Sequence, residues 1–387
     1  MRSVSVIGIG ETKMGRLADR SLQDLIREAG EAAMADAGVS KDQIEAMYIG
    51  NFNAQQLTGQ GHLGPMAAET LGLKVPAIRM EGACASGGLA FREALVAVAA
   101  GIYDIVLVGG VEKMTHRSTE DVTEAIASAS DFAAEAEAGV TFPGIFALIA
   151  NRYFHEYGNA REAMTAVAIQ NHANACLNPD AQMPKPVTAE KVETGLKIAD
   201  PFTIFDCSLV TDGAAFVVIC STETAKKIAK GRGVEVIGSG HGGDTLSIGS
   251  KDSLTEFAVT KKAAAKAYDM AGITPGDVDL AEVHDCFTIT QIINCEDLGF
   301  FPKGEAPAAI LAGKTARDSG VVAVNPSGGL KAKGHPIGAT GLSQIFEVVT
   351  QLRGEAGERQ VPGAKIGLTH NLGGTAATCV VHIFKGV

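Results

Sequence analysis

The strongest constraint on what this chain can fold into is that it repeats itself. SVSVIGIG at 3–10 matches GVEVIGSG at 233–240, an offset of 233 − 3 = 230. Val4, Val6, Ile7, Gly8 and Gly10 then stand against Val234, Val236, Ile237, Gly238 and Gly240. Alternating valines ahead of a glycine pair read as a buried strand and turn. AMADAGVSKDQIEAMYIGN at 33–51 pairs with AYDMAGITPGDVDLAEVHD at 267–285, offset 267 − 33 = 234, which sets Asn51 against Asp285. Each copy is a helix closed by Gly38 or Gly272 just past its end, a polar connection and a strand. DGAAFVVI at 212–219 against GTAATCVV at 374–381 closes each half. Three matches in one order make duplication a better reading than chance. Strands alternating with helices, then ending in paired strands, predict mixed α/β sheets covered on both faces.

The halves are unequal. Between EKMT at 112–115 and DGAAFVVI lies an insertion of roughly 85 residues, too long for an ordinary connection. It holds an Ala/Glu-rich stretch, TEAIASASDFAAEAEAG, and an amphipathic helical pattern, FALIANRYFHEYG. It reads as a substrate-covering subdomain, with a dimerisation arm as the alternative. The predicted division is 1–115 with 201–228 for the first half, 116–200 for the insertion and 229–387 for the second half.

Composition narrows the class. Hydrophobic residues at 46% and charged residues at 20% describe a folded chain with a large core. A net charge of −11 without a Lys/Arg block argues against nucleic acid and against anionic membranes. No window reaches about 18 consecutive apolar residues, and MRSVSVIGIG begins like a core strand, not a signal peptide. Seven cysteines without C-x-x-C spacing disfavour zinc. An odd number, without an export signal, points to reduced thiols in a cytoplasm.

Four stretches could carry chemistry. In MEGACASGGLAFREALVAVAA, Cys84 falls at the start of a helix, where free N–H groups and the dipole lower a thiol pKa. The bland reading, a small buried hydrophobe, weighs equally, and Gly87 and Gly88 allow close approach of a backbone or ligand. In NPSGGLKAKGHPIGATG, His335 sits between Gly334 and Pro336 at the corresponding place in the second copy, poorly suited to core filling, and the alternative is a surface turn. AEVHDCFT presents His284 and Cys286 at a strand end, with Asp285 turned the other way by strand alternation. LTHNLGGTAAT offers His370, Asn371 and a Gly-Gly turn whose amides form an anion site. Together they make a kit for acyl transfer. No G-x-S-x-G, H-E-x-x-H or phosphate loop competes, and the glycines of VIGIGETKMG after the first strand lack G-x-G-x-x-G spacing.

ACASGG, GGVEKMT, NPSGGLKAKGHPIGATG and the glycine-rich last hairpin, in this order, resemble the thiolase superfamily over nearly the whole chain. HDCF and HNLGG are most similar to archaeal-type acetoacetyl-CoA thiolases and sterol-carrier-protein-linked thiolases. The resemblance implies two duplicated five-layer α/β halves with a loop subdomain inserted in the first half. It implies that Cys84 is the acylated nucleophile and that His335 activates it and binds the second thioester oxygen. Cys286 becomes the α-carbon acid/base, and His284 stands where ordinary thiolases hold an Asn that orients an oxyanion-hole water. The N–H groups of Cys84 and Gly373 become donors to the acyl oxygen. No cysteine occurs in HNLGG, so His370 or Asn371 stands at the place of the usual second thiol.

The implied reaction forms or cleaves a 3-oxoacyl-CoA, by default acetoacetyl-CoA from two acetyl-CoA, with coenzyme A thioesters as substrates and no metal or other cofactor. The alternatives are a degradative thiolase for a specialised 3-oxoacyl-CoA and, in another class, a catalytically silent CoA- or lipid-binding module. Cys84, His284, Cys286 and His335 occurring together count against the silent module, and Cys286 counts against a ketoacyl synthase or 3-hydroxy-3-methylglutaryl-CoA synthase. A cytoplasmic homodimer or tetramer is implied. So are a small zinc-ribbon/OB-fold partner and 3-hydroxy-3-methylglutaryl-CoA synthase as candidate partners.

Overall fold

The computed structural model describes residues 2–318 and 321–386. Its strands are β1 (Val4–Glu11), β2 (Ala46–Gly50), β3 (Ala77–Met80), β4 (Ile105–Glu112), β5 (Lys197–Ala199) and β6 (Phe202–Thr203), followed by β7 (Gly213–Ser221), β8 (Val234–Gly243), β9 (Leu280–Glu282), β10 (Ala323–Val324), β11 (Ile366–Gly373) and β12 (Thr378–Lys385). Ten of them form one sheet in the order β10-β9-β11-β12-β8-β1-β7-β4-β2-β3. Read from each end, both halves run third, second, fourth, fifth, first. The directions agree too: β2 is parallel to β3 and β4 while β7 is antiparallel to β4 and β1, and the second half repeats this with β9, β10, β11, β12 and β8.

The two copies of the opening motif pair with each other at the centre. Val4 faces Val236, Ser5 faces Glu235 and Val6 faces Val234, antiparallel. With the offset of 230, Val4 and Val6 are the counterparts of Val234 and Val236. Ser5 therefore pairs with its own counterpart, and Val4 and Val6 each pair with the other's, as a twofold axis beside Ser5 requires.

Glycine in the VIGxG motif has a packing cause. A Cβ on Gly8 would lie 2.3 Å from Ala33 O, and on Gly238 2.4 Å from Ala267 O. The helices Leu22–Ala37 and Ala258–Ala271 therefore sit directly on β1 and β8, and each ends at a left-handed glycine, Gly38 or Gly272. These two helices cover opposite outer faces in separate core clusters. Between the half-sheets lie the helices Ser86–Ala99 and Thr340–Leu352, whose Phe91, Leu95, Leu342 and Val348 share a core with Val106 and Val217 of one half and Val236 and Phe384 of the other. Helix, half-sheet, helix pair, half-sheet and helix make five layers.

The insertion contributes the helices Thr119–Ala127, Phe142–Tyr157 and Arg161–Ala175 and the β5–β6 ribbon. That ribbon crosses residue 200. No helix among the described residues is long and apolar enough to cross a membrane.

Candidate active site

β3 leads into a short turn, Ala83–Ala85, and then into the buried helix Ser86–Ala99. Ala83 holds φ +50°, a left-handed conformation that costs a non-glycine residue about 1–3 kcal/mol. Three bonds hold it there: Ala83 N–H donates to Glu81 Oε1 at 2.6 Å, Ser86 Oγ–H to Ala83 O at 2.6 Å, and Gly82 N–H to Ser86 Oγ at 3.0 Å. The turn aims the Cys84 thiol into a cavity of about 190 Å³. The helix start does not lower this thiol's pKa, contrary to the sequence expectation. Burial pushes it up to about 12, against the amides of Gly374 and Cys84 that point at the sulfur, and Glu112 and Glu81 add to the rise.

Opposite lies His335, in the loop before the helix Thr340–Leu352. Its Nδ1 lies 2.7 Å from Thr340 Oγ1, and because the Thr340 hydroxyl donates to Pro336 O at 3.1 Å, that oxygen accepts from an Nδ1–H. Its backbone N–H is fixed by Thr211 Oγ1 at 2.9 Å. That leaves Nε2 with a lone pair facing the cavity. Burial lowers the His335 pKa to about 3, so the ring is neutral at neutral pH. The turns Ala83–Ala85 and Ile337–Ala339 and the helices that follow them correspond at an offset of 340 − 86 = 254. Structurally, Gly338 and not His335 is therefore the counterpart of Cys84; His335 arrives from three residues upstream.

His284 and Cys286 follow β9. The His284 ring stands edge-on to His335, centroids 5.2 Å apart at 83°. Burial, with His335 and His370 nearby, holds it well below the usual histidine range. Cys286 is buried with Sγ 3.8 Å from Thr290 Oγ1, and burial raises its thiol well above the normal range, with Cys84 next in effect. Asp285 turns away and accepts from the backbone of Leu330 at 2.7 Å and Lys331 at 3.2 Å. The cavity thus brings together Cys84, His284, Cys286 and His335, under apolar walls that include Val122, Phe142 and Phe146 of the insertion.

The last hairpin supplies a second layer. His370 does not reach the cavity: its Nδ1 accepts the His284 backbone N–H at 3.3 Å, and its Nε2 meets Thr260 Oγ1 at 3.0 Å. Asn371 lies behind Cys84, with Nδ2 donating to Cys84 O at 2.8 Å. Gly373 backs the nucleophile turn, where a Cβ would sit 2.3 Å from Gly82 O, but the hairpin amide at the sulfur belongs to Gly374. Sequence reading missed Cys207 and Phe287, which also line the cavity. Cys207 lies in the irregular tail of the insertion, and no spacing or periodicity singles it out. Glu112 was quoted only as part of a motif; its carboxylate accepts from Phe52 N at 2.9 Å and Gly338 N at 2.9 Å, tying the two halves together beside the site.

Donor atoms of Cys84, His284 and His335 lie within 4.8 Å of one another, the spacing of three metal ligands. The second layer does not suit a metal. A ligating histidine normally donates its other N–H to an acceptor, whereas His284 Nδ1 faces the Asn371 amide nitrogen at 3.4 Å.

A duplicated α/β chain with two thiols and two neutral imidazoles converging between the halves defines a cysteine-dependent acyl-transfer catalyst. Residues 4–223 match the thiolase N-terminal domain and residues 240–386 the thiolase C-terminal domain-like family. The chain belongs to the thiolase family. It is 50% identical to an acetyl-CoA acetyltransferase of Methanothermobacter thermautotrophicus over all of both chains. It is 32% identical to human sterol carrier protein 2, across the whole of this chain and 72% of that protein. Among solved structures, an "Ltp2-ChsH2(DUF35) aldolase" chain superposes with a TM-score of 0.86 at 24% identity, covering 99% of this chain and 98% of its own.

Proposed function

We infer that this thiolase interconverts two acetyl-CoA with acetoacetyl-CoA and CoA through an acyl-cysteine at Cys84. The observation that carries this is the convergence of two thiols and two imidazoles on one cavity, with the His335 lone pair left free toward it. Both thiols are protonated at rest, so each needs a partner to act. His335 Nε2 takes the Cys84 proton as the sulfur attacks the first thioester. The tetrahedral oxygen is held by the amides of Cys84 and the Gly373–Gly374 turn, and CoA departs with a proton from Cys286. The resulting Cys286 thiolate removes an α-proton from the second acetyl-CoA. Its enolate oxygen faces protonated His335 and His284. The enolate carbon attacks the acyl group, and Cys84 leaves and recovers its proton from His335. Thiolysis is the reverse.

The test separates the half-reactions. Acetyl-CoA should acylate the peptide containing GACASGG in the wild type. Cys286→Ala should still acylate, because CoA can leave as a thiolate. It should lose deuterium exchange at the acetyl-CoA methyl group by ~10²–10⁴, as general-base deletions do. Acyl label on another cysteine, or undiminished exchange in Cys286→Ala, overturns the assignment.

The apolar cavity walls favour one second reading, a specialised longer 3-oxoacyl-CoA, and a thiolysis panel over chain lengths separates the two. The proposed units are 1–115 with 201–228, an insertion of 116–200, and 229–387. The proposed setting is a cytoplasmic homodimer or tetramer, read by light scattering, with coenzyme A thioesters as substrates and no metal. The neighbour whose title names a DUF35 chain supports proposing a small zinc-ribbon/OB-fold partner, with 3-hydroxy-3-methylglutaryl-CoA synthase as a further candidate. Co-purification from a strain expressing all three tests both.

A further inference from the structure

Asn371 does not line the cavity, yet both ends of its amide are hydrogen-bonded to the backbone beside the site. Its Oδ1 accepts the Gly88 backbone N–H at 3.1 Å, and its Nδ2 donates to Cys84 O at 2.8 Å. A backbone N–H can only donate and a backbone carbonyl can only accept, so these two partners fix which end of the amide is oxygen. The packing confines the carboxamide as well: a Cβ on Gly341 would lie 2.4 Å from Asn371 Oδ1, and one on Gly88 2.9 Å from it. The carboxamide is clamped between two helix starts that carry no side chain where it lies.

The second hydrogen on Nδ2 faces His284 Nδ1 at 3.4 Å, its remaining hydrogen-bond partner among the described residues. A nitrogen that receives a hydrogen bond is the unprotonated one of a neutral imidazole, so the proton sits on Nε2, the nitrogen left for the cavity. His335 is set the opposite way, with its proton on Nδ1 toward Thr340 and a bare Nε2. The two imidazoles facing one another across the cavity are thus a donor and an acceptor, each fixed by one side chain behind it. His370 supports the same arrangement from the main chain, accepting the His284 backbone N–H through Nδ1.

We propose that Asn371 is a positioning residue that fixes the Nε2–H tautomer of His284, and so makes His284 a hydrogen-bond donor to the developing enolate oxygen. What the donor is for rests on the thiolase reading; the tautomer does not. With the proton on Nδ1, His284 would turn a lone pair toward a growing negative charge and face an N–H with an N–H. Losing an oxyanion donor costs ~10²–10³ in rate. Forcing a catalytic histidine into the wrong tautomer costs up to ~10⁴ where a partner of inverted polarity has been tried.

Two measurements test this. In 15N-histidine-labelled wild-type protein, long-range proton–nitrogen correlations should show His284 protonated at Nε2 and bare at Nδ1 at neutral pH, the signal being assigned by its loss in His284→Ala. A proton on Nδ1, or a mixture of tautomers, overturns the proposal whatever the enzyme catalyses. The second is a double-mutant cycle on deuterium exchange at the acetyl-CoA methyl group. Asn371→Ala should slow exchange by at least ~10-fold, toward the ~10²–10³ of a deleted donor, and should cost nothing further when added to His284→Ala. Multiplying losses would mean that Asn371 acts through Cys84 or the helix starts, and would sink the proposal. If Asn371→Ala does not fold, Asn371→Asp serves instead. Its carboxylate should draw a proton onto Nδ1 and give the exchange rate a new ionisation absent from the wild type; an unchanged pH profile overturns the idea. Absence of both acylation at Cys84 and exchange in the wild type would refute the thiolase reading alone and leave the tautomer result standing.

Discussion

A thiol buried at a helix start is governed by two opposed effects, and at Cys84 burial wins. Desolvation and the carboxylates of Glu112 and Glu81 outweigh the Gly374 and Cys84 amides, so the resting sulfur is protonated, with its pKa pushed up to about 12. Since His335 is neutral, with its own pKa near 3, no resting thiolate–imidazolium pair exists. Inactivation by iodoacetamide should therefore climb with pH through the neutral range without a plateau, because thiolate remains the minor form throughout. A plateau on the acid side of neutral would show an ion pair and contradict this electrostatics. The motif ACASGG marked Cys84 in sequence as the candidate nucleophile; the direction of its pKa shift did not follow, because burial is a property of the assembled cavity. Asn371 was named in sequence, but its contacts were not legible. Its neighbours Gly88 and Cys84 are 283 and 287 residues away.

Among the elements, the crossing of the two central helices explains why glycine recurs where both begin. A Cβ on Gly341 would meet Gly88 N at 2.3 Å as well as Asn371, and one on Gly87 would meet Gly338 O at 2.8 Å. Gly341→Ala should then cost at least the ~1–3 kcal/mol of an overpacked core, read as a lowered urea midpoint, and should also remove methyl exchange by displacing Asn371. Normal stability with normal exchange would show that the helices can separate at little cost. Periodicity made the strands and flanking helices of both halves readable, because strand alternation and glycine C-caps are local signals. The short ribbon of the insertion was not: β5 and β6 pair across residue 200, and a two-residue strand has no period to detect.

At the scale of the whole molecule, the halves are joined by buried charge as well as by the shared sheet. Glu11 of β1 meets Lys333 at 2.9 Å, both almost wholly buried, and Ser343 Oγ donates to the same carboxylate at 3.0 Å. Burial outweighs Lys333 and raises the Glu11 pKa from 4.5 to about 7. A raised acid contributes stability that is fully present below its unfolded pKa and is lost as pH rises through the folded one. Lys333→Met should cost ~3–5 kcal/mol by stranding the carboxylate, and the loss should deepen as pH rises through about 7. A pH-independent gap between the two melting curves would refute this account. The fold class itself was legible because the two copies of one strand motif survive, and those copies meet as β1 and β8.

That meeting has a consequence for chemistry. An axis relating β1 to β8 also relates the turn carrying Cys84 to the turn carrying Gly338, and the reaction takes place in the gap between them. Two identical unjoined subunits arranged this way would have to present the same side chain from both sides. Once the two copies share a single gene, the sides are free to diverge. Here a Cβ at Gly338 would lie 2.5 Å from Asn51 Cα, which forbids a second nucleophile. On the proposed roles each chain therefore has one reaction centre and not a mirrored pair, and the inherited symmetry becomes a division of labour between a side that holds the acyl group and a side that moves protons.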